Sequence, residues 1–106
     1  MADFVVIVKE ACETCQTIVP ALRRLAASAS VEILCQDNPA FPRNVDVVDD
    51  STLERSWHLG IEIVPTLIRA SDNERTEGWV RSEWEALTGL SFEADLPAFR
   101  PGCGSS

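Results

Sequence analysis

The stretch Phe4-Val5-Val6-Ile7-Val8-Lys9-Glu10-Ala11-Cys12-Glu13-Thr14-Cys15 decides the fold. Its first five residues form a nearly continuous apolar, β-branched run, the pattern of a strand covered on both faces in an α/β sheet. Two cysteines three apart follow, and after them Ile18, Leu22, Leu25 and Ala29 recur at helical spacing, with Val19 and Ala26 beside them. The cysteines therefore stand at a strand-to-helix junction. On a first helical turn, residues i and i+3 share a face with Cβ atoms roughly 5–6 Å apart, slightly more than a disulfide requires. A small local adjustment then opens or closes a Cys12–Cys15 bond. Unpaired amides and the macrodipole at a helix start favour a thiolate. Cys12, the outer cysteine, reads as the nucleophile, and Cys15, one turn deeper, as the thiol that resolves a mixed disulfide by attacking the Cys12 sulfur. The competing readings are two reduced cysteines packed as small hydrophobes, or half of a zinc site.

With 106 residues, 45% of them hydrophobic, the chain can build one core and is too short for two ordinary domains. A net charge of −8 repels nucleic acid and anionic membrane surfaces, so neither is an expected partner. The start of the chain carries no basic n-region and no apolar stretch of membrane-spanning length, which points to the cytoplasm. A reducing compartment turns four cysteines away from structural bonds and toward catalytic or redox-sensing use.

From the junction onward, Pro20 should kink the first helix without ending its apolar stripe. Val31 to Cys35 reads as a second strand with Cys35 a buried thiol, and 38–44 as a loop. Val45 to Val48 is either a strand end or an approach to the next helix. Ser51-Thr52-Leu53-Glu54 and Ser82-Glu83-Trp84-Glu85 both have capping-box form. They open two helices, the first with Leu53 and Trp57 inward and Gly60 as its stop, the second with Trp84 and Leu87 inward and Gly89 as its stop. His58 reads as an ordinary surface imidazole. Pro65 must mark the start of its strand because it offers no N–H to a sheet. Ser71-Asp72-Asn73 turns that strand into an antiparallel partner, Arg75 to Val80, in which Gly78 implies a bulge or a close backbone approach. From Leu90 the pattern fades. Residues 1–90 are thus one domain and 91–106 a proline- and glycine-rich tail extended over the surface.

The order strand, C-x-x-C, kinked helix, strand, helix, Val-Pro-Thr strand, hairpin strand with glycine, final helix resembles the thioredoxin family over about residues 3 to 89. The residues carrying the resemblance are Cys12, Cys15, Pro20, Val64-Pro65-Thr66 and Gly78. It implies an α/β, thioredoxin-like fold, a central mixed sheet of about four strands flanked by three helices. It also implies a cis bond before Pro65, facing the cysteines, with the Val64 backbone offered to an extended substrate; Val64, Pro65, Thr66 and Gly78 are the substrate-binding candidates. The chain departs from the family at Ala11 and at Glu13-Thr14, where an aromatic residue and Gly-Pro are usual, and in lacking the first strand and helix. Val6 stands where many thioredoxins bury a carboxylate, and no glutathione-holding glycine pair follows Pro65.

The implied activity is thiol-disulfide exchange that reduces protein disulfides through Cys12 and Cys15, with no cofactor. Its partners are a disulfide-containing client protein and an electron-donating reductase. The carboxylate of Glu13 beside Cys12 disfavours the thiolate and argues for a reductant over an oxidant. The alternatives are a glutaredoxin-like reductase, a non-catalytic docking module that uses the tail, and a metal carrier with Cys12, Cys15 and Cys103 as ligands. Cys103, between two glycines, is expected to be a mobile spectator. If Phe99 docks the tail near Pro65, it becomes instead a thiol able to exchange with the cysteine pair.

Overall fold

Phe4–Val8 (β1) is the middle strand of the main sheet, and Val6, Ile7 and Val8 are wholly buried. In the computed structural model, which describes residues 2–105, it pairs in parallel with Val31–Cys35 (β2) and antiparallel with Thr66–Arg69 (β5). Val48–Asp49 (β3) extends the β2 side and Glu74–Glu77 (β6) the β5 side, giving the order β3-β2-β1-β5-β6. Among the described residues there are four helices: Glu13–Thr17 (α1), Val19–Ser28 (α2), Glu54–His58 (α3) and Arg81–Thr88 (α4). The main sheet is mixed, as expected, with five strands in place of about four.

The extra helix has a local cause. Pro20 has no N–H and its ring crowds the carbonyl one turn back, so the expected kink is a break at Ile18. The amide of Ile18 closes α1 on the Thr14 carbonyl, and the Ile18 carbonyl then accepts from Ala21 and Leu22 to open α2. Ala21, Leu22 and Leu25 still face the core.

Both capping boxes are corrected. Before α3, Leu53 adopts the left-handed region at φ 64°, which removes Ser51 from the cap position. Buried Asp50 takes over, its carboxylate accepting from the Arg55 amide at 3.0 Å, the Ser56 amide at 2.9 Å and the Ser56 hydroxyl at 2.5 Å. This turns Trp57 outward, 79% exposed, against the expected inward face. Before α4 the cap is Val80, so Ser82 lies inside the helix. Glu85 reaches forward to the Phe92 amide at 3.0 Å.

Pro65 separates two strands, with Ile63–Val64 (β4) before it and β5 after it, in different sheets. The peptide bonds before Pro65 and Pro42 are cis. Two short ribbons complete the molecule. Trp79–Val80 (β7) pairs with Phe99–Arg100 (β8), and β4 pairs with Cys103–Gly104 (β9), both antiparallel. Phe92 and Leu96 join the core, Phe92 edge-on to Trp79 at 5.7 Å. The Arg81 guanidinium gathers the carbonyls of Phe92 and Leu96, and the Trp79 indole donates to the Pro97 carbonyl at 2.7 Å. The segment after Leu90 is therefore strapped onto the body. No helix among the described residues is long and apolar enough to cross a membrane.

Candidate active site

β1 ends at Val8 and the chain turns over Lys9 to Ala11 so that Cys12 arrives as the residue capping α1, with φ −87° and ψ 118°. The loop is held from below by Asp37, just past the end of β2. Its carboxylate accepts the amides of Glu10 at 2.7 Å and Ala11 at 3.0 Å, and the Cys35 thiol at 3.3 Å. Partial burial pushes this carboxyl up, but the two amides and the thiol outweigh it and hold it below the ordinary carboxylate range. Asp37 reads from sequence only as turn chemistry; its anchoring of the cysteine loop depends on the parallel β1–β2 pairing and carries no local signal.

Cys12 is bonded to Cys103, with Cα atoms 5.9 Å apart, and Cys15 and Cys35 are free buried thiols. In this state Cys12 is joined to Cys103 across the chain and not to Cys15, and Cys103 is a bonded residue instead of a mobile spectator. The reason is the strap: β9 lies antiparallel along β4, with Cys103 opposite Val64. The Cys12 sulfur lies 3.8 Å from the Val64 carbonyl oxygen. A disulfide sulfur has no proton to give, so this becomes a weak hydrogen bond only once Cys12 is reduced.

Of the other expected site residues, Val64 lies opposite Cys103 and Gly78 faces Gly102, while Pro65 and Thr66 are hydrogen-bonded to Gly78 and Ile63. The Pro65 carbonyl accepts from the Gly78 amide at 2.7 Å. The Thr66 hydroxyl turns back to donate to the Ile63 carbonyl at 2.6 Å, bracing the Pro65 loop. Gly78, at φ +73°, faces the strap: a Cβ on it would meet the Gly102 nitrogen at 3.1 Å. It is the close backbone approach its place in the strand implies.

The two residues between the cysteines have distinct uses. The Thr14 hydroxyl donates to the Pro101 carbonyl at 2.6 Å, fastening the strap to α1. Glu13 is exposed and stands 3.9 Å from Arg100, a solvent-screened pair of little energy. On the far side the Lys9 ammonium donates to the Gly104 carbonyl at 2.9 Å, and Gln36 donates to the Ser105 hydroxyl at 2.8 Å.

No family model, no curated protein and no solved structure matches this chain. The site must be read from its own chemistry.

Burial pushes the Cys15 thiol from 9.0 up to about 12, opposed in part by the Lys9 backbone, with Cys35 and Asp37 adding to the rise. Burial also raises Cys35. Cys15 stands one helical turn from Cys12, and its raised value leaves little of it as the thiolate at neutral pH. Among the described residues no group of three His, Cys, Asp or Glu side chains is placed to hold a metal ion. The three-thiolate carrier arrangement is not present, because Cys12 and Cys103 spend their sulfurs on each other.

The raised Cys15 value sets a pH dependence. Alkylation of Cys15 in the folded, oxidised chain should be negligible at neutral pH and climb about tenfold per pH unit toward 12. The folded thiol keeps a proton that the unfolded chain releases from pH 9.0 upward. Its contribution to stability is therefore complete below pH 9.0 and lost as pH rises through about 12. Labelling that already plateaus by pH 9 would contradict this.

Proposed function

We propose that the chain is a thioredoxin-like thiol-disulfide oxidoreductase that reduces protein disulfides. In the forward step the Cys12 thiolate attacks one sulfur of a client disulfide. The second client sulfur leaves as a thiolate and takes up a proton. Cys15, once deprotonated, attacks the Cys12 sulfur, expels the first client sulfur and leaves Cys12 and Cys15 joined. A dithiol reductant returns both to thiols. The Cys12–Cys103 bond is then an internal mixed disulfide, with Cys103 in the client's position.

The observation that carries this reading is the position of the bonded partner. Cys103 reaches Cys12 on an extended strand paired with Val64, with the free thiol Cys15 one turn deeper in α1. In this reading Cys103 stands where the sulfur of an incoming client would be joined to Cys12 before a second thiol displaces it. The order of β1, α1, α2, β2, α3, β5, β6 and α4 supports it as well.

The test is insulin turbidity with a chemical reductant. The full chain should shorten the lag beyond the reductant alone, and no acceleration would overturn the proposal. A second reading, a structural staple with no catalysis, is favoured by the burial of Cys12, 1% exposed. That same null result would support it.

A further inference from the structure

We propose that the strap is a resident copy of the client, and that the client is an extended polypeptide segment whose reactive cysteine directly follows a glycine. The inference rests on the exchange reading above and names its substrate class. The strap meets the site at four consecutive positions, and they are read differently. At Pro101 only the carbonyl is used, by Thr14, and the residue is otherwise exposed. At Gly104 only the carbonyl is used, by Lys9, and a Cβ there would meet nothing within 4 Å. Any residue supplies those two carbonyls, so the positions two before and one after the cysteine are open to most side chains.

Gly102 is different. A Cβ there would stand 2.2 Å from Ile63 Cγ2, 2.8 Å from the Val64 carbonyl oxygen and 3.2 Å from the Gly78 Cα. The isoleucine methyl can swing aside, but two of the three obstacles are backbone. The Val64 carbonyl cannot retreat freely, because its strand pairs with the cysteine and its oxygen lies against the Cys12 sulfur. The same atom that borders the reacting sulfur thus excludes a side chain on the residue before the incoming cysteine. Gly78 provides the floor of this slot, lacking the Cβ that would meet Gly102. Side chains are filtered at one position, and main-chain pairing along β4 supplies the rest of the recognition.

The experiment uses the full chain with Cys15→Ser and Cys103→Ser, reduced, so that Cys12 attacks once and cannot be resolved. The probes are peptides of sequence Arg-Pro-Gly-Cys-Gly-Ser, each activated as a mixed disulfide with thionitrobenzoate. Attack joins the peptide sulfur to Cys12 and releases the coloured thiolate. The Gly102→Val and Gly102→Ala peptides should react at least about tenfold more slowly, the size that overpacking a filled site produces. The Gly104→Ala peptide should match the parent within about twofold. Equal rates for all four would overturn the client class and leave exchange standing. No release from any peptide by a chain with native circular dichroism would overturn exchange itself. As a second measurement, Gly102→Ala in the otherwise unaltered chain should let about tenfold less reductant open the Cys12–Cys103 bond. An unchanged midpoint would also overturn the slot.

Discussion

Cys12→Ser is expected to lower disulfide exchange by about a thousandfold or more, to the background of the reductant, because it removes the attacking sulfur itself. Cys15→Ser and Cys103→Ser should each behave differently from it and from one another. In the proposed cycle two thiols serve the Cys12 sulfur: Cys15 from within α1, and Cys103 from the strap, to which Cys12 is bonded in this state. Cys15→Ser alone therefore leaves a resolving thiol, since a client that displaces β9 stays within reach of the tethered Cys103. Stalled client adducts should accumulate fully only when both are serine. Cys103→Ser alone should keep turnover, because Cys15 still resolves. Mass spectrometry of the trapped adducts and the turbidity rates of the four variants check this together. An unchanged rate for Cys12→Ser would remove the nucleophile assignment.

The parts of this arrangement that were legible in sequence are those with local periodicity. Phe4 to Val8 announces a buried central strand, and the stripe from Ile18 to Leu25 a helix on its face. The hairpin around Asp72 is legible because Asn73 tolerates the left-handed turn, at φ 60°. Gly78 and Pro65 carry meaning because glycine alone enters the positive-φ region freely, as Gly78 does at φ 73°, while proline fixes φ and offers no N–H. The parts that were not legible depend on contacts far along the chain. The Ser51 capping box fails because Leu53 takes a left-handed turn and a buried aspartate captures the helix start. β7, β8, β4 and β9 are two residues each, too short for any alternation to register. The choice of Cys103 over Cys15 as partner for Cys12 is set by strand pairing across 91 residues, which no window of sequence contains. Thr14 falls in the same class: its hydroxyl matters only once Pro101 has been brought to it.

Cys103→Ser should lower the stability of the oxidised chain by about 4–5 kcal/mol, the chain-entropy value for a cross-link closing a loop of nearly a hundred residues. In a domain of this size that is a fall in Tm of roughly 20–35 °C. The effect should arise mostly in the unfolded chain, because the strap keeps its other attachments without the bond. Thr14 and Lys9 still hold the carbonyls of Pro101 and Gly104, the Ser105 amide still donates to the Glu62 carbonyl at 3.0 Å, and Phe92 and Leu96 remain in the core. Cys12→Ser should therefore show the same fall as Cys103→Ser. Reductant should bring the wild-type Tm down to that of the variants and leave theirs where it is. Circular dichroism melts with and without reductant decide the matter. A Tm for Cys103→Ser within a few degrees of the oxidised wild type would mean that the noncovalent contacts already restrain the strap and that the bond contributes little as a staple. A full fall would mean that reducing the site also loosens the whole chain, tying the redox state of Cys12 to the lifetime of the fold.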